Sequence, residues 1–176
     1  NYELKNILFN DLITMQINEP KKEKNLINSI KSLNEISDKV SLKVKDQYEQ
    51  NPFPRWRYTY NQVALPFLTK LEYQIKPNKI AIKNQFDKPK VLLAGCGTGR
   101  HVCIAKDYLN SDILAIDLSL SSLGYAKRKT DELRFSNIEY LHADILNLHK
   151  LTKKFDVIEC AGVLHHMKEP TQGLKI

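Results

Sequence analysis

Three closely spaced glycines follow an apolar run and precede a helix-like segment. The run is Val91–Ala94, and the glycines are Gly95, Gly97 and Gly99. Glycine lacks a Cβ, so it adopts positive φ and lets the backbone approach a neighbouring group closely. A turn that opens onto a helix also presents free N–H groups and a partial positive charge. The pattern predicts a ligand-binding turn; the alternative is an ordinary strand-to-helix connection.

The spacing of the glycines differs from that of dinucleotide-binding turns. Those turns follow G-x-G-x-x-G. Here the third glycine, Gly99, comes one place early, and Arg100 stands where the last glycine would be. This difference disfavours a nicotinamide-binding oxidoreductase, which is kept as an alternative.

An acidic residue follows at the distance expected of a ribose-binding carboxylate. The run Ser111–Asp117 is typical of a strand and ends in Asp117, eighteen residues after Gly99. An acid about 20 residues beyond such a turn can accept hydrogen bonds from ribose hydroxyls. Alternatively, Asp117 only caps the following helix, with Ser119 as a rival cap.

Strand-like and helix-like segments continue to alternate. Further strands are predicted at 137–144, ending in Asp144, and at 155–160, which continues into 161–166; helical segments are predicted at 102–109, 120–133 and 146–151. This alternation predicts an α/β fold with a doubly wound parallel sheet. Ligands bind such sheets at the carboxyl ends of the strands.

These motifs together resemble a known family. Residues 91–170 are similar to the front half of class I S-adenosylmethionine-dependent methyltransferases. The turn Gly95–Gly99 resembles the first motif of that family, Asp117 its ribose-binding acid and Asp144 its adenine-contacting acid. The stretch from Phe155 to His166 resembles its fourth-strand motif.

The resemblance implies a Rossmann-like fold with strand order 3-2-1-4-5-7-6, S-adenosylmethionine as cofactor, and methyl transfer to an acceptor that it does not identify. It places these residues in the cofactor site: Gly95, Cys96, Gly97, Thr98, Gly99, Asp117, Leu118, Asp144, Ile145 and Val163. Only four of the strands fit, so we expect a piece truncated after the fourth strand. We expect residues 1–176 alone to bind the cofactor weakly and to methylate nothing efficiently.

The segment before the glycine turn is a second unit. We divide the chain into a helical and aromatic leader, residues 1–88, and a methyltransferase domain, residues 89–176. Asp46–Trp56 resembles a leader found in bacterial methyltransferases that often carry tetratricopeptide repeats. The chain contains no repeat of about 34 residues, so any such array would precede Asn1.

The leader combines a helix with an aromatic cluster. Val40, Val44 and Tyr48 recur at helical spacing, and Ser37 is the predicted N-cap. The aromatic cluster consists of Phe53, Trp56, Tyr58 and Tyr60. We expect Trp56 to pack the leader onto the sheet; the alternative is a lid over the cofactor or an anchor for substrate. Tyr48 or Arg55 could reach the pocket.

Composition agrees with a soluble enzyme, and the cysteines favour the cytoplasm. The chain is 42% hydrophobic and 27% charged, with no apolar run near the ~18 residues of a membrane span. Cys96, Cys103 and Cys160 lack metal-site spacing and suit free thiols in a reducing compartment. Cys96 is disfavoured as a nucleophile because no base is assigned to it.

The net charge of +7 is uneven: residues 51–90 carry eight basic and two acidic side chains. The favoured interpretation of this excess is a solvated surface. Attraction of an anionic small molecule or lipid ranks second, and nucleic-acid binding ranks third. The methyl acceptor is accordingly expected to be a small molecule, lipid or protein.

His165 and His166 are candidate catalytic residues. Either could act as a general base near neutral pH, although a structural role is favoured. Neighbours on a strand point to opposite faces, so the pair is not expected to bind a metal, and no metal site is predicted. A noncatalytic module that binds a cofactor or a protein partner remains a further alternative.

Overall fold

The structure is a computed structural model that describes residues 6–59, 63–81, 86–105 and 108–176, without the side chains of residues 103–105. Tyr60 and the side chain of Cys103, both considered above, lie outside the described residues. Within the described part, no helix is long and apolar enough to cross a membrane.

The described residues form one sheet of five parallel strands. In chain order the strands are β1 (Lys31–Ser32), β2 (Lys90–Ala94), β3 (Asp112–Asp117), β4 (Ile138–His142) and β5 (Val157–Glu159). Their order across the sheet is β1-β4-β3-β2-β5. The four strands predicted from the sequence are β2 to β5, so they lie in the order third, second, first, fourth. The predicted α/β Rossmann-like fold is confirmed.

Helices connect and precede the strands. They are α1 (Ile7–Ile13), α2 (Glu19–Ile27), α3 (Lys39–Gln50), α4 (Phe67–Gln74), α5 (Arg100–Ala105), α6 (Leu120–Glu132) and α7 (Pro170–Leu174). A π-helical turn, Thr14–Asn18, joins α1 to α2, and 3₁₀ turns span Ile145–Lys150 and Leu164–His166. The predicted cap of α3 was wrong by one residue. Asp38, not Ser37, accepts the backbone N–H groups of the first turn, because an Asp carboxylate is itself a strong N-cap.

The central strands are apolar on both faces because both faces are covered. On one face, Val91 and Leu93 of β2 pack with residues of α5 and α6, including Val102 and Leu123. On the other face, Leu92 packs with residues that include the 3₁₀ turn after β4. Two-sided burial is typical of parallel sheets, and it fixes the carboxyl ends of β2, β3 and β4 side by side.

The leader extends this sheet. Lys31 and Ser32 pair in parallel with Leu141 and His142 of β4. The Ser32 Oγ lies 2.9 Å from Nδ1 of His142, which adds a side-chain contact to the short ladder. The sheet therefore crosses the predicted boundary between residues 88 and 89, and the leader supplies a strand as well as helices.

Trp56 fastens the leader to the glycine turn, as the packing interpretation predicted. Its side chain is only 7% exposed. Its Nε1 donates a hydrogen bond to the carbonyl of Thr98 at 2.9 Å. In return, the Thr98 hydroxyl donates to the carbonyl of Pro54 at 2.5 Å. Two reciprocal bonds thus hold the leader against the turn.

A buried arginine fastens α2 to α6. Arg128 is 1% exposed, and its guanidinium pairs with Glu19 at 3.0 Å, Glu23 at 2.9 Å and Glu132 at 2.8 Å. A buried cation is tolerated only when it is paired and hydrogen-bonded. The leader therefore supplies two of the carboxylates that allow α6 to bury this side chain.

We predict that Gly99→Ala destabilises the protein more than Gly162→Ala. Both glycines have positive φ, +79° and +71°, so each alanine costs roughly 1–3 kcal/mol of backbone strain. A Cβ at Gly99 would also lie 2.7 Å from Cβ of Ala126, whereas nothing lies within 4 Å of a Cβ at Gly162. The clash should lower the free energy of unfolding of Gly99→Ala by roughly 1–3 kcal/mol more. Urea unfolding measures the stability of both variants. Equal losses of stability would contradict the packing of Gly99 on α6.

Candidate functional site

A cavity of about 480 Å³ lies at the carboxyl ends of β2, β3 and β4. The glycine turn, the ends of β3 and β4, and the segment after β5 line it, and the leader contributes Ser41, Val44, Tyr48, Phe53 and Pro54. The structure brings most of the predicted site residues to this one cavity: Gly95, Cys96, Gly97, Thr98, Asp117, Leu118, Asp144, Ile145, Val163, His165 and His166.

The three glycines of the turn have different structural roles. All have positive φ, between +51° and +79°. A Cβ at Gly95 would collide with the side chain of Val163, so glycine lets the segment after β5 approach the turn. Gly97 faces open space apart from the carbonyl of Phe53, 3.7 Å from its would-be Cβ. Gly99 is absent from the cavity lining formed by the described residues and packs on α6 instead.

Asp117 joins β3 to the glycine turn. One carboxylate oxygen accepts the backbone N–H of Gly97 at 2.7 Å, and the other accepts that of Ser119 at 2.9 Å. Burial raises the pKa of Asp117 above its ordinary value. Ser119, rather than Asp117, is the N-cap of α6, because its hydroxyl accepts the N–H of Ser122.

Asp144 presents an unpaired acceptor. Its Oδ1 accepts the backbone N–H of Leu146 at 2.9 Å and so starts the 3₁₀ turn after β4. Its Oδ2 is buried and has no hydrogen-bond partner among the described residues. A buried acceptor without a donor is costly, and this residue lines the cavity. A ligand that offers an N–H at this point would remove that cost.

The two histidines do not lie on a strand, so the expectation that they point to opposite faces was wrong. They belong to the 3₁₀ turn Leu164–His166, and their ring centroids are 4.0 Å apart. The Tyr48 hydroxyl lies 3.3 Å from Nε2 of His166. Burial, followed by the neighbouring His165, lowers the pKa of His166. Tyr48 thus reaches the cavity as suggested, whereas Arg55 pairs with Glu23.

A second histidine environment at the cavity was not predicted. His101 lines the cavity, and its Nε2 lies 2.6 Å from Oε2 of Glu159, at the end of β5. The Tyr108 hydroxyl lies 2.6 Å from Oε1 of the same carboxylate. Burial opposes ionisation, but hydrogen bonds from His101 and Tyr108 hold the pKa of Glu159 below its ordinary value. The sequence signal that could have identified Glu159 is an acid at the end of an apolar strand, the same signal that identified Asp117.

Cys96 is a poor nucleophile, as expected. It is 5% exposed. Burial, followed by the nearby Asp117, raises the pKa of its thiol well above the ordinary value. Because the thiolate is the reactive form, this cysteine stays protonated and contributes packing. Across the part of the chain that the structure describes, no group of three or more His, Cys, Asp or Glu side chains could hold a metal ion.

Comparison with known proteins agrees with this architecture. Residues 91–175 match the family model described as a methyltransferase domain. The chain is 30% identical to an uncharacterized protein of Synechococcus over 157 residues, which is 79% of this chain and 34% of that protein. It is 26% identical to the mitochondrial ubiquinone biosynthesis O-methyltransferase of Schizosaccharomyces pombe, over 81% of this chain and 49% of that protein.

A solved structure supports the fold. Magnesium protoporphyrin IX methyltransferase from Synechocystis, with bound S-adenosylmethionine, aligns with a TM-score of 0.53 at 20% identity, over 80% of this chain and 71% of that chain. Residues 91–175 therefore have the sequence pattern and the fold of a methyltransferase domain. The chain spans about a third of the Synechococcus relative and about half of the S. pombe relative.

We predict that Cys96 resists alkylation in the folded protein. At pH 8 its buried, protonated thiol should react with iodoacetamide at least about tenfold more slowly than in the urea-unfolded chain. Half-buried Cys160 should be less protected. Peptide mapping by mass spectrometry separates the two sites. Alkylation of Cys96 at the same rate in both states would contradict its burial.

Proposed function

We propose that this chain binds S-adenosylmethionine and forms the cofactor-binding part of a class I S-adenosylmethionine-dependent methyltransferase. The observation that carries the proposal is the convergence of the glycine turn, Asp117 and Asp144 on one cavity, where Asp144 presents a buried oxygen without a partner. The methyltransferase-domain match over residues 91–175 supports it.

The residues at the cavity fit the chemistry of the cofactor. Each carboxylate oxygen has two lone pairs, so Asp117 can accept the amides of Gly97 and Ser119 and still accept hydrogen bonds from ribose hydroxyls. The free Oδ2 of Asp144 suits the amino group of an adenine. Leu118 and Ile145, which follow these acids, supply apolar surface for the flat base.

Methyl transfer places few demands on the protein. S-adenosylmethionine supplies an electrophilic methyl carbon when bound, so the side chains mainly position the acceptor and exclude water. Burial lowers the pKa of His166, which favours its uncharged form near neutral pH. His166 can therefore take a proton from an acceptor that must lose one, with Tyr48 orienting it. His165, which also lines the cavity, is the other candidate base.

The acceptor we propose is a small molecule, a lipid or a protein rather than a nucleic acid. Several cations of residues 51–90, among those that the structure describes, are paired or buried. Arg55 pairs with Glu23, Arg57 pairs with Asp11, and Lys88 pairs with Asp112 at 2.9 Å. Lys70 is buried. Exposed Phe53 on the cavity wall adds apolar contact surface instead.

We also propose that the protein works in the cytoplasm and belongs with the bacterial methyltransferases often associated with tetratricopeptide repeats. The free thiols of Cys96 and Cys160 support a reducing compartment. The similarity of Asp46–Trp56 to the leader of those proteins supports the second point, and in this fold that segment contributes Tyr48, Phe53 and Pro54 to the cavity.

We predict that the protein binds S-adenosylhomocysteine and not NAD. The turn and both acids match the methyl-donor scaffold, whereas Arg100 replaces the last glycine of a dinucleotide turn. Isothermal titration calorimetry with each ligand measures this directly. Binding of NAD alone would refute the proposal in favour of an oxidoreductase. Activity of the complete gene product toward candidate acceptors separates an enzyme from a noncatalytic module.

We predict that Asp117→Ala weakens S-adenosylhomocysteine binding by about 1–3 kcal/mol, because the ribose hydroxyls lose an acceptor. Asp112→Ala is the matched control. Asp112 begins the same strand at its opposite end and pairs only with exposed Lys88 among the described residues. Calorimetry should therefore give unchanged affinity for the control. Unchanged affinity for Asp117→Ala would remove this residue from the site.

A further inference from the structure

His101 lines the cavity and forms a pair with a carboxylate that methyl transfer as described above does not use. His101 Nε2 and Glu159 Oε2 are 2.6 Å apart. The side chains of these two residues are 29% and 14% exposed. Tyr108 holds the carboxylate from its other side and also lies 2.7 Å from Oε1 of Gln74. A carboxylate held by this many neighbours fixes the orientation of the imidazole, which faces the cavity.

The strand order shows which part of the ligand would meet this pair. Across the sheet, Asp144 follows β4, Asp117 ends β3, the glycine turn follows β2, and Glu159 ends β5. A ligand with its adenine at Asp144 and its ribose at Asp117 therefore extends its remaining part over the turn toward β5. In S-adenosylmethionine and S-adenosylhomocysteine, that part is an amino acid with one ammonium and one carboxylate.

The charges near β5 match such a group. An ionised carboxylate only accepts hydrogen bonds, so Nε2 of His101 must carry the proton that points to Glu159. In the uncharged imidazole with this tautomer, Nδ1 has the lone pair and can accept a hydrogen bond from an ammonium, with the negative charge of Glu159 behind it. The neighbouring Arg100 also lines the cavity and offers a guanidinium to a carboxylate.

We propose that His101, oriented by Glu159, binds the α-ammonium of the amino-acid end of S-adenosylmethionine and S-adenosylhomocysteine. Glu159 is the positioning residue, and it acts through the imidazole. The inference rests on the proposed cofactor and adds a recognition element on β5 to those on β3 and β4. It makes binding depend on a ligand group that adenosine alone does not have.

Three ligands separate this role from a purely structural one. S-adenosylhomocysteine carries the ammonium and the carboxylate, S-adenosyl-3-thiopropylamine carries only the ammonium, and 5′-methylthioadenosine carries neither. For His101→Ala, we expect calorimetry to show about tenfold weaker binding of the first two ligands, the size of one charged hydrogen bond. Affinity for 5′-methylthioadenosine should be unchanged, and this also shows that the variant is folded. Glu159→Gln should give the same pattern with a smaller loss.

His149→Ala is the matched control, because this exposed histidine bonds only to the carbonyl of Leu146 among the described residues and does not line the cavity. It should leave all three affinities unchanged. Equal losses for all three ligands in His101→Ala, or no loss for any, would overturn the inference while leaving the proposed cofactor in place. Failure of the unaltered protein to bind any of the three ligands would instead refute the proposed function itself.

Discussion

The hydrogen bond from the backbone of Gly97 to Asp117 is the contact on which the site depends. It joins the turn after β2 to the end of β3, next to the bonds that Gly95 and Cys96 donate to the carbonyl of Ile116. Three consecutive positions of one turn are thereby fixed against the neighbouring strand. Burial raises the pKa of Asp117, whereas the hydrogen bonds from the amides of Gly97 and Ser119 favour its charged form. The turn and the carboxylate therefore stabilise each other.

The leader completes the site from the other side. Trp56 and Pro54 bond to Thr98 in the same turn. Glu49 of α3 accepts hydrogen bonds from the Ser119 hydroxyl and the backbone N–H of Ser121, so a leader carboxylate lies at the positive end of α6. Because α3 is fixed to the domain in this way, Tyr48 takes a defined position at the cavity. The pocket is therefore built from two distant parts of the chain rather than from the sheet alone.

The sequence predicted those parts of the fold that repeat a simple pattern. Apolar strands that end in Asp117 and Asp144 identified the sheet and the edge where ligands bind, because parallel strands place their carboxyl ends together. The two-residue strand at Lys31 could not be predicted, since its residues are polar and its pairing is set by where α2 docks. The orientation of His166 was missed because the strand before it ends at Glu159 and a 3₁₀ turn follows. The contact between His101 and Glu159 joins residues 58 positions apart, so no local sequence pattern could predict it.

Trp56 is the single tryptophan of the chain, and its indole N–H is bonded to the glycine turn. Emission from an indole depends on the polarity and the hydrogen bonding around it. All tryptophan light from this protein therefore originates at the junction between the leader and the turn. The indole is bonded to Thr98, the residue next to Gly97, and Gly97 lines the cavity. The fluorescence of this protein therefore reports on the turn beside the cavity.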